Sequence, residues 1–506
     1  MSQPATEATN SAKPLPGITS HMIFGPVIAF IVVLLASGWY WQSRDWNVAS
    51  RLMLVYALGD RGTITIDGLQ RQTGDLAFKD GHYYCDKAPG FSLLATPSYV
   101  IGKQVFGWPD HPLNQDGFAY WLADAWVTWC SSGLASAIIA AGICLILNKH
   151  GLNPYISLVC GISTIWASPM AVYATLAYGH QAASGLFVAA TAILFCKHKS
   201  KNALWPVLAG LCCGLGVLTE LAQAPLAIVI GLVGLSFGHG PAAKTRIGSL
   251  LFTGALPTAL ILMLYNFIAF GSAFDMGYFH HATQQFARVH SADNPLGLGS
   301  PDFSRLPQLL WGQYRGLCFY SPWVLLAPFG WFLMLRNRHY RLLVITLAGL
   351  LVPLWVNLSY PEWTGGWSTG PRLLTPALPW LGLASGYSLN DKWLRRLSPP
   401  LYLAGLILAD LFLSVGGRIS QDIARPLQDA ILPIWLENRR PLIWPGELFA
   451  RTHMEKLIIS STIDPRLVAC GYLAIQFILV LTICLFARSW NKSQQRIVST
   501  EKSSGT

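Results

Sequence analysis

Apolar stretches long enough to cross a bilayer recur about twelve times along this chain, and that recurrence constrains its fold more than any motif. The first is Met22–Trp41. Ala125–Asn148, Pro154–Tyr173, Gly179–Cys196, Asn202–Thr219, Leu221–Phe237 and Ile247–Phe270 follow. Cys318–Leu335, Leu342–Ser359, Leu373–Leu389, Pro399–Gly416 and Leu467–Ala487 complete the set. Of the 506 residues 53% are hydrophobic and only 12% charged. That is roughly half the charged share of a soluble domain. The expectation is an all-α polytopic membrane protein.

The distribution of charge sets an expected topology. With the amino terminus in the cytoplasm, the inner connections include Cys196–Lys201, Arg336–Arg341 and Lys392–Arg396, all rich in Lys and Arg. The short outer connections near Gly179 and Glu220 carry no Lys or Arg. This is the positive-inside pattern. The net charge of +11 is therefore a topology signal, and no nucleic-acid partner is expected. Contact with anionic membrane lipid is a secondary reading. Residues 1–21 and 488–506 read as cytoplasmic tails without order, and Met22–Trp41 as an uncleaved anchor. Nine of the ten Cys fall in or beside apolar runs, which fits small packed hydrophobes rather than a disulfide framework.

The polar mass is expected outside. The first outer loop, 42–120, carries eight Asp residues: 45, 60, 67, 75, 80, 86, 110 and 116. Further outer regions are 271–317, 360–372 and 418–466. Plain solvation accounts for Asp80, Asp110 and Asp116. Val48–Leu58 has apolar residues at helical spacing and predicts an amphipathic helix on the membrane surface. Thr63–Asp67 alternates like an extended piece. Pro89–Phe106, broken by Pro97 and Lys103, predicts a second interfacial or re-entrant helix.

Two strings in these regions can carry chemistry. The first is Gly81-His-Tyr-Tyr-Cys-Asp86-Lys87-Ala-Pro89-Gly90. Pro89 suits a first helical turn, which puts Asp86 and Lys87 where backbone N–H groups favour an anion. Lys87 can hold a phosphate as a point charge, and Asp86 can orient or deprotonate an acceptor. The structural alternative is a capping Asp86 with a snorkelling Lys87, and the residues alone leave both open. The second string is Tyr360-Pro-Glu362-Trp-Thr-Gly-Gly-Trp-Ser-Thr-Gly-Pro-Arg372. Trp363 and Trp367 offer flat faces for sugar rings, and Arg372 can grip phosphate oxygens in bidentate fashion. An interfacial aromatic belt is the alternative, but a loop this short and glycine-rich favours a ligand.

These strings resemble the bacterial C-type glycosyltransferases, the group of protein mannosyltransferases and lipid A aminoarabinose transferases. Asp86-Lys87-Ala-Pro89-Gly90 looks like their acid–Lys–Pro element, and Trp363–Pro379 is similar to a late element of the bacterial relatives. Tyr265–Phe274 and Arg315–Pro322 fit the same group, and the resemblance covers about 22–389. That segment is the expected enzyme core; 390–487 adds terminal helices with the outer loop 418–466.

The resemblance implies transfer of a sugar from a polyprenyl-phosphate donor to an acceptor hydroxyl, with inversion, at the outer face of a bacterial inner membrane. The acceptor is a lipid, glycan or protein. It implies Asp86 as the motif's acid, Lys87 as phosphate contact and Arg372 as a second one. Relatives often place an acid where this chain has Asn47, so Asp67 and Asp75 become the other candidate acids. Arg51, on the same predicted helix as Asn47, is a candidate donor-phosphate contact. Asn47, His82, Tyr84, Glu362, Trp363 and Trp367 complete the expected substrate-binding set. The outer loops hold no Asp-x-Asp pair, so neither a divalent metal nor another cofactor is expected.

A transporter is the main rival, because Asp410 falls within a predicted span and Asp124 and Glu220 at span edges. No matching hydropathy halves support it. A glycan polymerase or ligase would carry its main outer loop late in the chain, whereas here the early loop is largest. A membrane scaffold without catalysis is the remaining class.

Overall fold

The computed structural model describes residues 20–503 apart from 43, 114–120, 201, 292, 295, 416–418, 438–450 and 453–464. The tail expected over 1–21 lies almost wholly outside these residues, as do Asp116 and much of the loop 418–466.

The chain is mostly helical, and helices appear at each expected apolar run. Among the described residues six are long and apolar enough to cross a membrane alone: Leu122–Lys149, Gly179–Lys197, Pro241–Phe270, Tyr340–Ser359, Lys392–Val415 and Arg466–Leu485. Shorter apolar helices include Phe24–Ser37, Pro154–Trp166, Leu204–Thr219, Leu221–Leu235 and Pro322–Arg336. The shortening has local causes. Pro169 follows the end of the Pro154–Trp166 helix, and a fresh turn starts at Met170. Glu220, extended at φ −146°, separates two helices where a continuous run is interrupted. The last helix runs to Ser503, past the expected boundary at Ala487. Its Gln, Arg, Lys and Glu residues favour helix, and no Gly or Pro stops it there.

Close helix contacts rest on small residues. A Cβ on Gly210 would stand 2.0 Å from Leu251 O, and one on Gly254 would stand 2.0 Å from Val207 O. The Leu204–Thr219 and Pro241–Phe270 helices therefore touch backbone to backbone. The opposite side of Pro241–Phe270 exposes Phe252, Leu260, Leu264, Phe267 and Ile268, an apolar face suited to lipid.

The ends of the helices sort into two groups. The expected inner connections meet one another. Arg341 Nη2 donates to Ser236 O at 2.7 Å, Tyr387 OH contacts His339 Nδ1 at 2.9 Å, and the His150 and His339 rings lie 5.0 Å apart. The expected outer segments converge at the other end around a small polar layer.

That layer is built on the Trp46–Arg61 helix. Every residue from Asn47 to Ala57 is buried, so it is a central element under the layer rather than a helix lying open on a surface. Its polar positions face inward: Arg51, Ser50 and Asn47 all make internal contacts. Leu76–Lys79 and His82–Cys85 form a hairpin, with Leu76 opposite Cys85 and Lys79 opposite His82. Asp80 and Gly81 turn it with φ of 51° and 86°, the geometry of a tight two-residue turn. Ile66 N donates to Tyr83 O at 2.8 Å, adding the expected extended piece to the hairpin edge. The Gly90–Phe106 helix packs beside Trp46–Arg61: Tyr99 OH and Lys103 Nζ reach Asp60 at 2.8 and 2.6 Å.

Several acids are structural. Asp124 takes Arg44 Nε at 2.5 Å and the Tyr56 hydroxyl, locking two outer segments together. Asp110 pairs with Lys103 on the surface. Asp410 is buried in the Lys392–Val415 helix, away from the outer layer's cavity.

Candidate active site

The second hairpin strand leads directly into Asp86 and Lys87, and Pro89 caps the helix that follows. A Cβ on Gly90 would stand 2.5 Å from the Leu218 carbonyl carbon, so this corner is pressed onto the backbone of the neighbouring helix. Asp86 is 1% exposed. Its Oδ1 accepts from the Ser50 hydroxyl at 3.0 Å; its Oδ2 faces Lys87 Nζ at 2.5 Å and His281 Nε2 at 2.9 Å. Lys87 Nζ also stands 3.0 Å from Asp75 Oδ2. Burial pushes the Asp86 carboxyl up, but the Lys87 charge and the His281 bond outweigh it and hold it well below the usual carboxylate range. Burial alone would lower the Lys87 amine; Asp75 and Asp86 reverse that and raise it above an ordinary lysine. Both groups stay charged through the physiological range.

A second cluster gathers at the start of the Trp46–Arg61 helix. Asp45 is its N-cap: Oδ1 accepts from Val48 N at 2.7 Å and Oδ2 from the Tyr178 hydroxyl. Arg51 Nη1 donates to Asn47 O at 3.3 Å and to the Asn47 side chain, while its buried Nε has no hydrogen-bond partner among the described residues. A Cβ on Gly179 would meet both Arg51 Nη2 and Glu220 Oε2 at 3.0 Å, so glycine there lets the two charges approach. Glu220 Oε2 stands 3.0 Å from His180 Nδ1. Burial raises the Glu220 carboxyl, but His180, Arg51 and Arg372 outweigh it and bring it down to about 2.

The third cluster is the 360–372 loop. Gly365, Gly366 and Gly370 have φ of 73°, 68° and 58°, a path other residues rarely take. Buried Arg315 holds it from inside, donating to Ser368 O at 2.7 Å, Gly366 O at 2.8 Å and Gly370 O at 3.2 Å. Arg372 Nη1 donates to Gly365 O at 2.7 Å, and its guanidinium lies 4.7 Å over the Tyr178 ring. Its buried Nε has no hydrogen-bond partner among the described residues.

The three clusters enclose a cavity of about 320 Å³. Of the expected site residues, Asn47, Asp75, Lys87, Glu362, Trp367 and Arg372 line it. Asp86 does not; it stands behind Lys87, lining a small adjoining crevice. Arg51 lies beneath Asn47 and outside the lining. Asp67 and His82 pair with each other on the hairpin at 2.7 Å, away from the cavity. Tyr84 stacks edge-on against Phe270, and Trp363 turns toward Tyr314 and Arg305.

Sequence reasoning missed Asp45, Tyr178, Tyr278, His281 and His290, which also line the cavity. The break Tyr178-Gly179-His180 between apolar runs was the available signal for one of them. Among the described residues no three His, Cys, Asp or Glu side chains converge as metal ligands.

The polar cavity adjoins apolar space. Lys87 and Tyr278 line both the cavity and the crevice. Leu262 lines both the crevice and an apolar groove of about 380 Å³ between the Leu204–Thr219, Ala224–Leu235 and Pro241–Phe270 helices. Lys87 is thus a cation on the crevice that lies between the cavity and the groove.

No protein-family model and no curated protein sequence matches the chain. Among solved structures it is similar to ArnT from Cupriavidus metallidurans bound to undecaprenyl phosphate, at 15% identity over 94% of this chain and 73% of that one, with a TM-score of 0.49. It is also similar to the Archaeoglobus fulgidus oligosaccharyltransferase in its apo form, at 10% identity over 76% of this chain and 55% of that one, with a TM-score of 0.47. At such identities and scores the reading of the site falls to the chain's own residues.

Proposed function

We propose that this chain is a multi-pass membrane glycosyltransferase that moves a sugar from a polyprenyl-phosphate donor to an acceptor hydroxyl on the outer face of a bacterial inner membrane. One observation carries the reading: Lys87 lines both the cavity and a small crevice beside it, and that crevice shares Leu262 with the apolar groove. An amphiphile with an anionic head fits that shape. Its tail occupies the groove beside Leu262, its phosphate meets Lys87, and its sugar enters the cavity toward Trp367 and Glu362.

The residues supply what such a transfer needs. The leaving phosphate gains negative charge as the anomeric C–O bond breaks, and fixed cations in a water-poor site stabilise that charge. Lys87 is such a cation, oriented by Asp75 and Asp86. Arg372 brings a second positive charge, its guanidinium, to the same cavity. Direct attack by the acceptor oxygen inverts the anomeric carbon. The sequence resemblance to C-type glycosyltransferases supports the same chemistry.

The test is transfer itself. Purified protein in nanodiscs, given a panel of polyprenyl-phosphate sugars, should release polyprenyl phosphate and form a product heavier by one sugar, read by mass spectrometry. The second reading is transport, favoured by buried Asp410 with an unpartnered Oδ1. Uptake by proteoliposomes that depends on Asp410, with no transfer from any donor, would establish that reading instead.

A further inference from the structure

His281 has a side chain only 3% exposed, yet it lines the cavity. Its Nε2 stands 2.9 Å from Asp86 Oδ2. Its Nδ1 is buried and has no hydrogen-bond partner among the described residues. The ring is held in place from several sides. Ala282 N donates to Leu76 O at 3.0 Å, His281 bridges Ala77, and Phe286 packs against the imidazole at 5.2 Å. Asp86 is itself fixed by Ser50 and Lys87.

A carboxylate facing Nε2 selects the tautomer with the proton on Nε2, because it can only accept. The lone pair then sits on Nδ1. The rival proton acceptors on the same cavity are mostly engaged. Asp45 accepts from Val48 N and from Tyr178, and Asp75 holds Lys87. Glu362 and His290, whose Nε2 lies 3.5 Å from the Tyr360 hydroxyl, are left as the competing bases.

We propose that His281 takes the acceptor's proton on Nδ1, with Asp86 as the positioning residue that fixes the ring. The proposal rests on the transfer reading above. As the acceptor oxygen bonds to the anomeric carbon, its O–H proton passes to Nδ1. The anomeric C–O bond breaks, and its electron pair leaves on the phosphate oxygen beside Lys87. The imidazolium, stabilised by Asp86, then gives its proton to water or to the released phosphate. This moves the motif's acid from the reacting proton to a place behind the histidine, and it needs no acid at position 47.

The charged and titratable groups facing His281 are Asp86 directly and Lys87, Asp75 and Tyr278 beyond it, with the His280–Asp275 pair on its own turn. Nitrogen-15 NMR of histidine-labelled protein in nanodiscs reads the tautomer without any substrate. Near pH 8 Nε2 of His281 should be protonated and Nδ1 not, and Asp86→Asn should mix the two forms. The rate of transfer should fall along an acidic limb, and His281→Gln should cost on the order of 10²–10⁴-fold in kcat and abolish that limb, with the donor KM little changed. Asp86→Asn should move the limb, and Glu362→Gln and His290→Gln should keep it. Full activity and an unchanged profile in His281→Gln, or loss of the limb in Glu362→Gln or His290→Gln, overturns the proposal. So does a proton on Nδ1 in the wild type, even if no donor reacts. Absence of transfer from every donor, with the expected tautomer present, defeats the transfer reading and with it the proton step.

Discussion

Asp86 Oδ2 accepts from Lys87 Nζ at 2.5 Å, yet only the lysine reaches the cavity. The carboxylate is the inner half of the pair and the ammonium the outer half. In the proposed transfer this ordering gives Lys87 the anion-binding work and Asp86 the orienting work.

Lys87→Ala should therefore lower transfer by roughly 10²–10³-fold, the cost of deleting one preorganised contact to developing charge. It also leaves Asp86 and Asp75 facing each other without their shared cation, so apparent Tm should drop as well. Steady-state kinetics with a synthetic short-chain donor, alongside melting in detergent, separates the two effects.

Arg372 makes a planar contact that lysine cannot copy, stacking on Tyr178 while donating to Gly365. Arg372→Lys should cost about tenfold in kcat/KM, ~1.4 kcal/mol, whereas His82→Ala and Asp67→Asn should leave it unchanged. Activity that follows His82 rather than Arg372 would relocate the site to the hairpin.

Gly90→Ala should be harmful although it adds only one methyl. The new Cβ would press on the Leu218 carbonyl carbon, 2.5 Å away, and the neighbour is backbone that cannot swing aside. The corner carrying Asp86 and Lys87 would move. Reduced melting temperature together with reduced transfer is the expected outcome, while Gly471→Ala, whose new Cβ meets nothing within 4 Å, should behave like wild type.

Glu220 gives a pH signature. Its folded pKa is depressed to about 2, so its contribution to stability is complete above the unfolded carboxylate value and fades as pH falls through the folded one. Apparent Tm should fall as pH drops from about 4.5 toward 2, with Glu220→Gln removing part of that fall. Equal slopes in both proteins would show that Glu220 does not feel its cations.

The helical plan was legible because a membrane span needs a long apolar run, and such runs survive in any order of tertiary packing. The break inside one run, at Pro169, changed its length rather than its position, and Glu220 divides two helices where two expected runs meet. Lys87 and Arg372 were legible as lone cations beside Pro and Gly at the starts of apolar segments. Asp45 was not, because an N-cap just ahead of Asn47 does not reveal which way its helix will turn. Tyr178, His281 and Arg315 come from three outer segments far apart in sequence, and only packing brings them together. Arg51, expected as a donor-phosphate contact, supports Asn47 from below rather than lining the cavity.

The central claim is that Lys87 receives the phosphate of a membrane lipid at the mouth of the apolar groove. Native mass spectrometry of the nanodisc-extracted protein with polyprenyl phosphate and with the matching polyprenol tests it most directly. The account predicts a retained adduct for the phosphate, little for the alcohol, and loss of that difference in Lys87→Ala. Equal retention of phosphate and alcohol by the wild type, or an undiminished phosphate adduct in Lys87→Ala, would contradict it.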